Sequence, residues 1–134
     1  MTHQEQSGSS SDENRTKLER MLEALNRQDW EAAVADVADD FVQEWPQSGE
    51  KIHGRDHCLV IYRNYPGGGP SMEVRRITGS GDQWTVESML DYGGKPVHAV
   101  SVIEFRDGKL IRQVDYFADP FEPPAWWSQW VTLE

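Results

Sequence analysis

The chain has 134 residues, with 23 acidic against 13 basic side chains and a formal net charge of −10. That length holds one substantial core and one domain, and the acidic balance repels phosphate backbones and anionic membranes, so neither is expected as a partner. Cys58 is the single cysteine, which excludes an intrachain disulfide.

Residues 1 to 11 are rich in Ser, Gln and Gly and are expected to form a mobile N-terminal segment. They contain no apolar run of the kind a secretory signal needs. No stretch approaches the ~20 apolar residues of a membrane span. The expected location is cytoplasmic.

The main domain is expected over residues 12–121. Ser10 with Glu13 fits a capping box, and Leu18, Met21, Leu22 and Leu25 recur at the spacing of one helical face. Asn26 to Asp29 breaks that helix, with Asp29 as N-cap of a short second one that buries Trp30, Ala33, Val34 and Val37. Phe41 to Trp45 reads as a strand stopped by Pro46, with a short return strand at Glu50 to His53. A third helix is expected from Arg55 to Asn64, ended by Pro66-Gly67-Gly68-Gly69-Pro70.

Strands then dominate. Met72 to Thr78 and Gln83 to Tyr92 flank Gly79-Ser80-Gly81-Asp82, and Val97 to Phe105 and Leu110 to Phe117 flank Asp107-Gly108, a strong hairpin signal. Helices first and an antiparallel meander afterwards predict an α+β fold with helices on one face of a curved sheet. Residues 122–134 hold two prolines and three tryptophans. They are expected to form an extended strap over an apolar edge of this domain or of a second subunit, since tryptophan clusters are rarely left uncovered.

Alternation along strands ranks the candidate site residues. Ile111, Gln113, Asp115 and Phe117 share one face of the last strand. Asp115 beside Tyr116 and Phe117 needs solvent or a polar pocket, because an unpartnered buried carboxylate is costly. On the Gln83–Tyr92 strand, Glu87 is expected to point inward as a second carboxylate. Enclosed carboxylates are driven toward the range useful for proton transfer. Asp115 is thus the candidate base, with Tyr62 or His98 as donor to an enolate. His98 has a simpler alternative, a hydrogen bond to Tyr116 or Glu104. Glu44 and Trp45 occupy adjacent positions, hence opposite faces, and both are candidate ligand contacts alongside Gln113 and Phe117.

Metal binding is not expected: His53 and His57 are separated by a helix start and have no third ligand. The Gly67–Gly69 run follows a helix and so lacks the setting of a phosphate cradle. No G-x-S-x-G elbow occurs, and Cys58 reads as core. No cofactor is expected.

Three helices, a strand pair and long strands ending in FRDGKLIRQVDYF resemble the nuclear-transport-factor-2-like superfamily. Within it the chain is similar to the SnoaL-like polyketide cyclases and limonene-epoxide hydrolases. The likeness covers roughly residues 14 to 121. EWPQSGEKIHGRDH, YPGGGP and DYFADPFEPPAW are similar to an uncharacterised bacterial subgroup. The resemblance implies a cone, a strongly bent, mostly antiparallel sheet wrapped around a pocket and closed by about three helices, as in a cystatin-like roll. It also implies a homodimer, and Asp115 matches the aspartate that precedes Tyr-Phe in the hydrolases. Their Arg-x-Asp is missing, since no arginine lies between Asp82 and Arg106. Two readings follow: a pocket for a small, largely apolar organic molecule, with cofactor-free isomerase, cyclase or dehydratase chemistry at Asp115, or a non-catalytic ligand-binding or interaction module.

Overall fold

The computed structural model describes residues 3–133, with side chains from residue 11 onward. Helix α1 (His3–Arg27) and the short α2 (Trp30–Ala33) precede strands β1 (Val37–Trp45) and β2 (Glu50–His53). Helix α3 (Arg55–Arg63) follows, and then strands β3 (Ser71–Ser80), β4 (Gln83–Tyr92), β5 (Lys95–Arg106) and β6 (Lys109–Ala118). The six strands form one sheet in the order β2-β1-β6-β5-β4-β3. All neighbours are antiparallel except β1 and β6, which run parallel. This is the α+β architecture expected from helices followed by a meander.

Local chemistry sets the joints. Asp29 caps α2 by accepting from the Ala32 backbone N–H at 3.3 Å. Asp107 and Gly108 both take positive φ, 50° and 76°, as a tight two-residue hairpin requires. Between β3 and β4 the Gly81 carbonyl accepts from Asn14 Nδ2 and Trp84 Nε1, each at 2.9 Å. The Asn14 bond ties α1 to the sheet.

Helix α1 starts at His3, well ahead of the expected cap at Ser10, so the helix occupies much of the segment expected to be mobile. Serine, glutamine and glutamate extend a helix readily once the Leu18–Leu22 face has nucleated it. Met1 and Thr2 lie outside the described residues. Val37, expected at the end of α2, instead opens β1.

The core lies between α1, α2, α3 and the inner face of the sheet. Leu18 and Leu22 from α1 meet Phe41, Ile52, Trp84, Val86, Ile103 and Phe105. A second buried group, Leu90, Val97 and Ala99, sits on the inner face with Met72 and Phe117 against it. Between the two groups the inner face turns polar, at Gln43, Ser88 and Asp115.

The tail departs from expectation. Ala125–Trp130 forms a 3-10 helix rather than an extended strap. Trp126 and Trp130 remain 73% and 71% exposed, so they do not cover an edge of their own domain. Pro124 is extended just before the short helix, which pairs Trp126 with Trp127 at 5.0 Å.

Candidate functional site

The inner-face polarity centres on Asp115, which is 4% exposed. Three neighbouring strands hold it. Ser101 on β5 lies directly opposite Asp115, while Gln43 on β1 aligns with Gln113 on β6. Asp115 Oδ1 accepts from Ser101 Oγ at 2.6 Å and from Gln113 Nε2 at 2.8 Å. Its Oδ2 accepts from Gln43 Nε2 at 2.6 Å and from Trp45 Nε1 at 2.9 Å. A carboxylate has about four lone-pair positions, so these donors take all of them. All four donors are neutral. The charge is therefore solvated by dipoles, with no basic side chain in contact.

Asp115 forms part of the floor of a cavity of about 410 Å³. Trp30, Trp45, Tyr62, Tyr65, Tyr92 and Phe117 provide aromatic walls, with Leu25, Met72, Leu90 and Ala99 adding aliphatic surface. Trp30 from α2 stacks on Tyr62 from α3, ring centroids 5.6 Å apart. Gln47 braces the rim by bonding both the N–H and the carbonyl of Phe117, at 2.6 and 2.5 Å. Asn26 does the same to the N–H and the carbonyl of Met72, at 2.8 and 2.7 Å.

Burial pushes the Tyr62 phenol well above its usual pKa, and the charges of Cys58 and Asp115 add to that. Tyr62 thus stays protonated as a donor. Cys58 lies behind the floor with Sγ 3.7 Å from Gln43 Oε1. Burial first, then the Asp115 charge, raise its thiol to about 11.

Five predicted site residues meet at this cavity: Asp115, Trp45, Tyr62, Gln113 and Phe117. Three do not. Glu87 faces outward, its side chain 49% exposed and 3.8 Å from Arg76. On β4 the inward set is Trp84, Val86, Ser88 and Leu90, because Trp84, Val86 and Leu90 fill the core and force Glu87 to the other side. Glu44 also lies outside, accepting from Arg112 Nε at 2.6 Å with Lys51 at 3.5 Å, and Arg112 holds its carboxyl below the usual range. His98 is exposed on β5, since Val97 and Ala99 take the inward positions. Gln43 and Ser101 were not predicted. Their signal was a single polar residue within an inward apolar series, Phe41-Gln43-Trp45 and Ala99-Ser101-Ile103.

Among the described residues, no group of three or more His, Cys, Asp or Glu is placed to hold a metal ion. None of their helices is long and apolar enough to cross a membrane.

The SnoaL-like domain model matches residues 18–113, which is most of the chain. This chain belongs to the SnoaL-like domain family. An NTF2-like protein of unknown function from Burkholderia xenovorans LB400 is 39% identical, with a TM-score of 0.85 over 92% of this chain and 96% of its own. A protein of Kribbella flavida DSM 17836, named provisionally as a ketosteroid isomerase, is 28% identical, also at a TM-score of 0.85, over 92% of this chain and 91% of its own. An LEH-like epoxide hydrolase of M. tuberculosis is 27% identical at a TM-score of 0.65, covering 80% of this chain and 84% of its own. Comparison with curated proteins gives no match. The parallel β1–β6 pair sets Gln43 and Trp45 beside Asp115.

Proposed function

We propose that this SnoaL-like domain binds a small, largely apolar organic molecule in the 410 Å³ cavity and performs cofactor-free proton transfer on it. The observation that carries the proposal is a buried carboxylate, Asp115, at the floor of an aromatic cavity large enough for a small ligand. The step balances without a co-reactant. As the Ser101 hydroxyl turns away, Asp115 Oδ1 takes a proton from a carbon beside a carbonyl. The C–H electron pair moves into the carbonyl oxygen, and Tyr62 donates a hydrogen bond to the resulting enolate. Return of the proton to another carbon is an isomerisation. Attack of the enolate on a second carbonyl, whose oxygen takes the proton back from Asp115, is a cyclisation, and expulsion of a β-hydroxyl as water with that same proton is a dehydration. The relatives named for ketosteroid isomerisation and epoxide hydrolysis support chemistry of this cofactor-free kind. Epoxide hydrolysis itself is not proposed, because no arginine lines the cavity.

A second reading, non-catalytic binding, is favoured by one observation: all four acceptor positions of Asp115 are occupied by neutral donors. Deuterium uptake separates the two. Apolar cyclic ketones that bind the wild-type protein, incubated with it in D2O, should exchange their α-hydrogens. Asp115→Asn should slow that exchange by about 100-fold or more while binding persists. Exchange unchanged in Asp115→Asn would rule out Asp115 as the base, and bound ketones that never exchange would establish the binding module instead.

The same reading includes a homodimer in the cytoplasm. Val100, Val102 and Tyr116 stand 38%, 39% and 47% exposed on the outer sheet face, and the tail adds Trp126 and Trp130. A second copy would cover this apolar surface.

A further inference from the structure

We propose that the ligand of this cavity is an organic cation, an amine or quaternary ammonium carried on an apolar body. The inference rests on the reading of the cavity as a ligand site, and it names the chemical class that site selects. Two charged residues line the cavity, Asp115 and Glu50, and both are negative. No Lys, Arg or His is among the lining residues. The nearby cations of β2 and β6, Lys51 and Arg112, are held on the outer face by Glu44. Asp115 therefore has neutral donors around it and no cationic side chain beside it in the lining.

The walls have matching chemistry. Six aromatic rings surround the space, from Trp30, Trp45, Tyr62, Tyr65, Tyr92 and Phe117. The face of an aromatic ring is electron-rich and attracts a cation brought within about 6 Å of its centre. Trp30 and Tyr62 offer a stacked pair, one from each helix over the sheet. The field of Asp115 reaches these walls, contributing to the upward shift of the Tyr62 and Tyr92 phenols. An ammonium group between the carboxylate and the rings would be attracted by both. It need not displace any of the four donors, since attraction to Asp115 acts through space. The net charge of −10 also draws cations toward the surface as a whole. A carboxylate or sulfonate ligand meets the opposite field at every stage.

Three probes with one benzyl body test the proposal: benzyltrimethylammonium, its uncharged isostere neopentylbenzene, and phenylmethanesulfonate. Calorimetric or ligand-observed NMR titration of the wild-type chain should give the ammonium at least about tenfold tighter binding than neopentylbenzene, with the sulfonate weakest. In Asp115→Asn the tenfold preference should shrink to about threefold or less, while neopentylbenzene binds as before. If that variant does not fold, the order of the three probes on the wild-type chain decides the question, and Glu50→Gln should narrow the gap in the same direction. Equal or tighter binding of neopentylbenzene overturns the cation proposal and leaves the apolar pocket intact. Ammonium binding that is undetectable at millimolar concentration overturns it as well. Failure of the proton-transfer reading is seen separately, as bound ketones that never exchange deuterium.

Discussion

Asp115 keeps a charge inside an aromatic cavity because four neutral donors from three strands converge on it. Losing any one donor should be felt, since a hydrogen bond to a charged group contributes roughly 1.5–3 kcal/mol. Ser101→Ala is expected to lower stability by about 1–2 kcal/mol, as water entering from the cavity replaces part of the lost bond. Urea denaturation reads that change directly, and an unaltered midpoint would show that Ser101 does not hold the carboxylate. Cys58 makes a different prediction. Its thiol is raised from 9.0 to about 11, so the fold favours the protonated form. That contribution is complete below pH 9 and is lost as pH rises toward 11. The stability difference between wild type and Cys58→Ala should therefore be constant up to pH 9 and shrink above it. A difference that stays flat through pH 11 would contradict the assignment.

At the scale of elements, glycine positions bear directly on the sheet. Gly79 has φ of 148°, and a Cβ there would lie 2.2 Å from the Gln83 carbonyl and 2.8 Å from the Trp84 Cα. Both are backbone atoms that cannot step aside. Gly79→Ala is expected to destabilise by about 2 kcal/mol or more and to lower the melting temperature, whereas Gly81→Ala meets no neighbour and carries only the penalty of its 59° φ.

How much of these elements could be read from sequence varied with the signal. The hairpins were legible because Asp107-Gly108 and Gly81-Asp82 carry turn chemistry at the residues themselves. That Gln113, Asp115 and Phe117 share one face of β6 was legible because they alternate with Arg112, Val114 and Tyr116. The orientation of β4 was not, because parity gives two faces without saying which is inner. Glu87 was expected on the inner face as a second carboxylate, but its neighbours Val86 and Ser88 are the inward residues. Leu110 marks another limit. It packs in the core although its parity matches the exposed Arg112, because the β5–β6 register shifts between Glu104 and Phe105. The site's donors depend on contacts between distant strands, which no local pattern encodes.

For the whole molecule, apolar surface is concentrated on the outer sheet face and in the tail. Phe121, Trp126, Trp130 and Leu133 are each more than 70% exposed. Light scattering coupled to size exclusion is expected to give twice the monomer mass, and Tyr116→Lys with Val102→Lys should reduce it to the monomer. A monomer in the wild type would leave the apolar outer face without the partner copy proposed for it. Because Val102 and Tyr116 are not among the residues that line the cavity, the double variant should retain ligand binding.

The central claim is that ligand chemistry takes place at the cavity floor around Asp115. It is tested most directly by the indole N–H signals of the six tryptophans, followed by two-dimensional NMR during titration with benzyltrimethylammonium. The hydrogen bond from Trp45 Nε1 to Asp115 makes that signal the local reporter, assignable through Trp45→Phe. The account predicts that the Trp45 resonance moves in a saturable way while those of Trp126 and Trp130 stay fixed. Shifts confined to the tail tryptophans, with Trp45 unmoved at saturation, would contradict it.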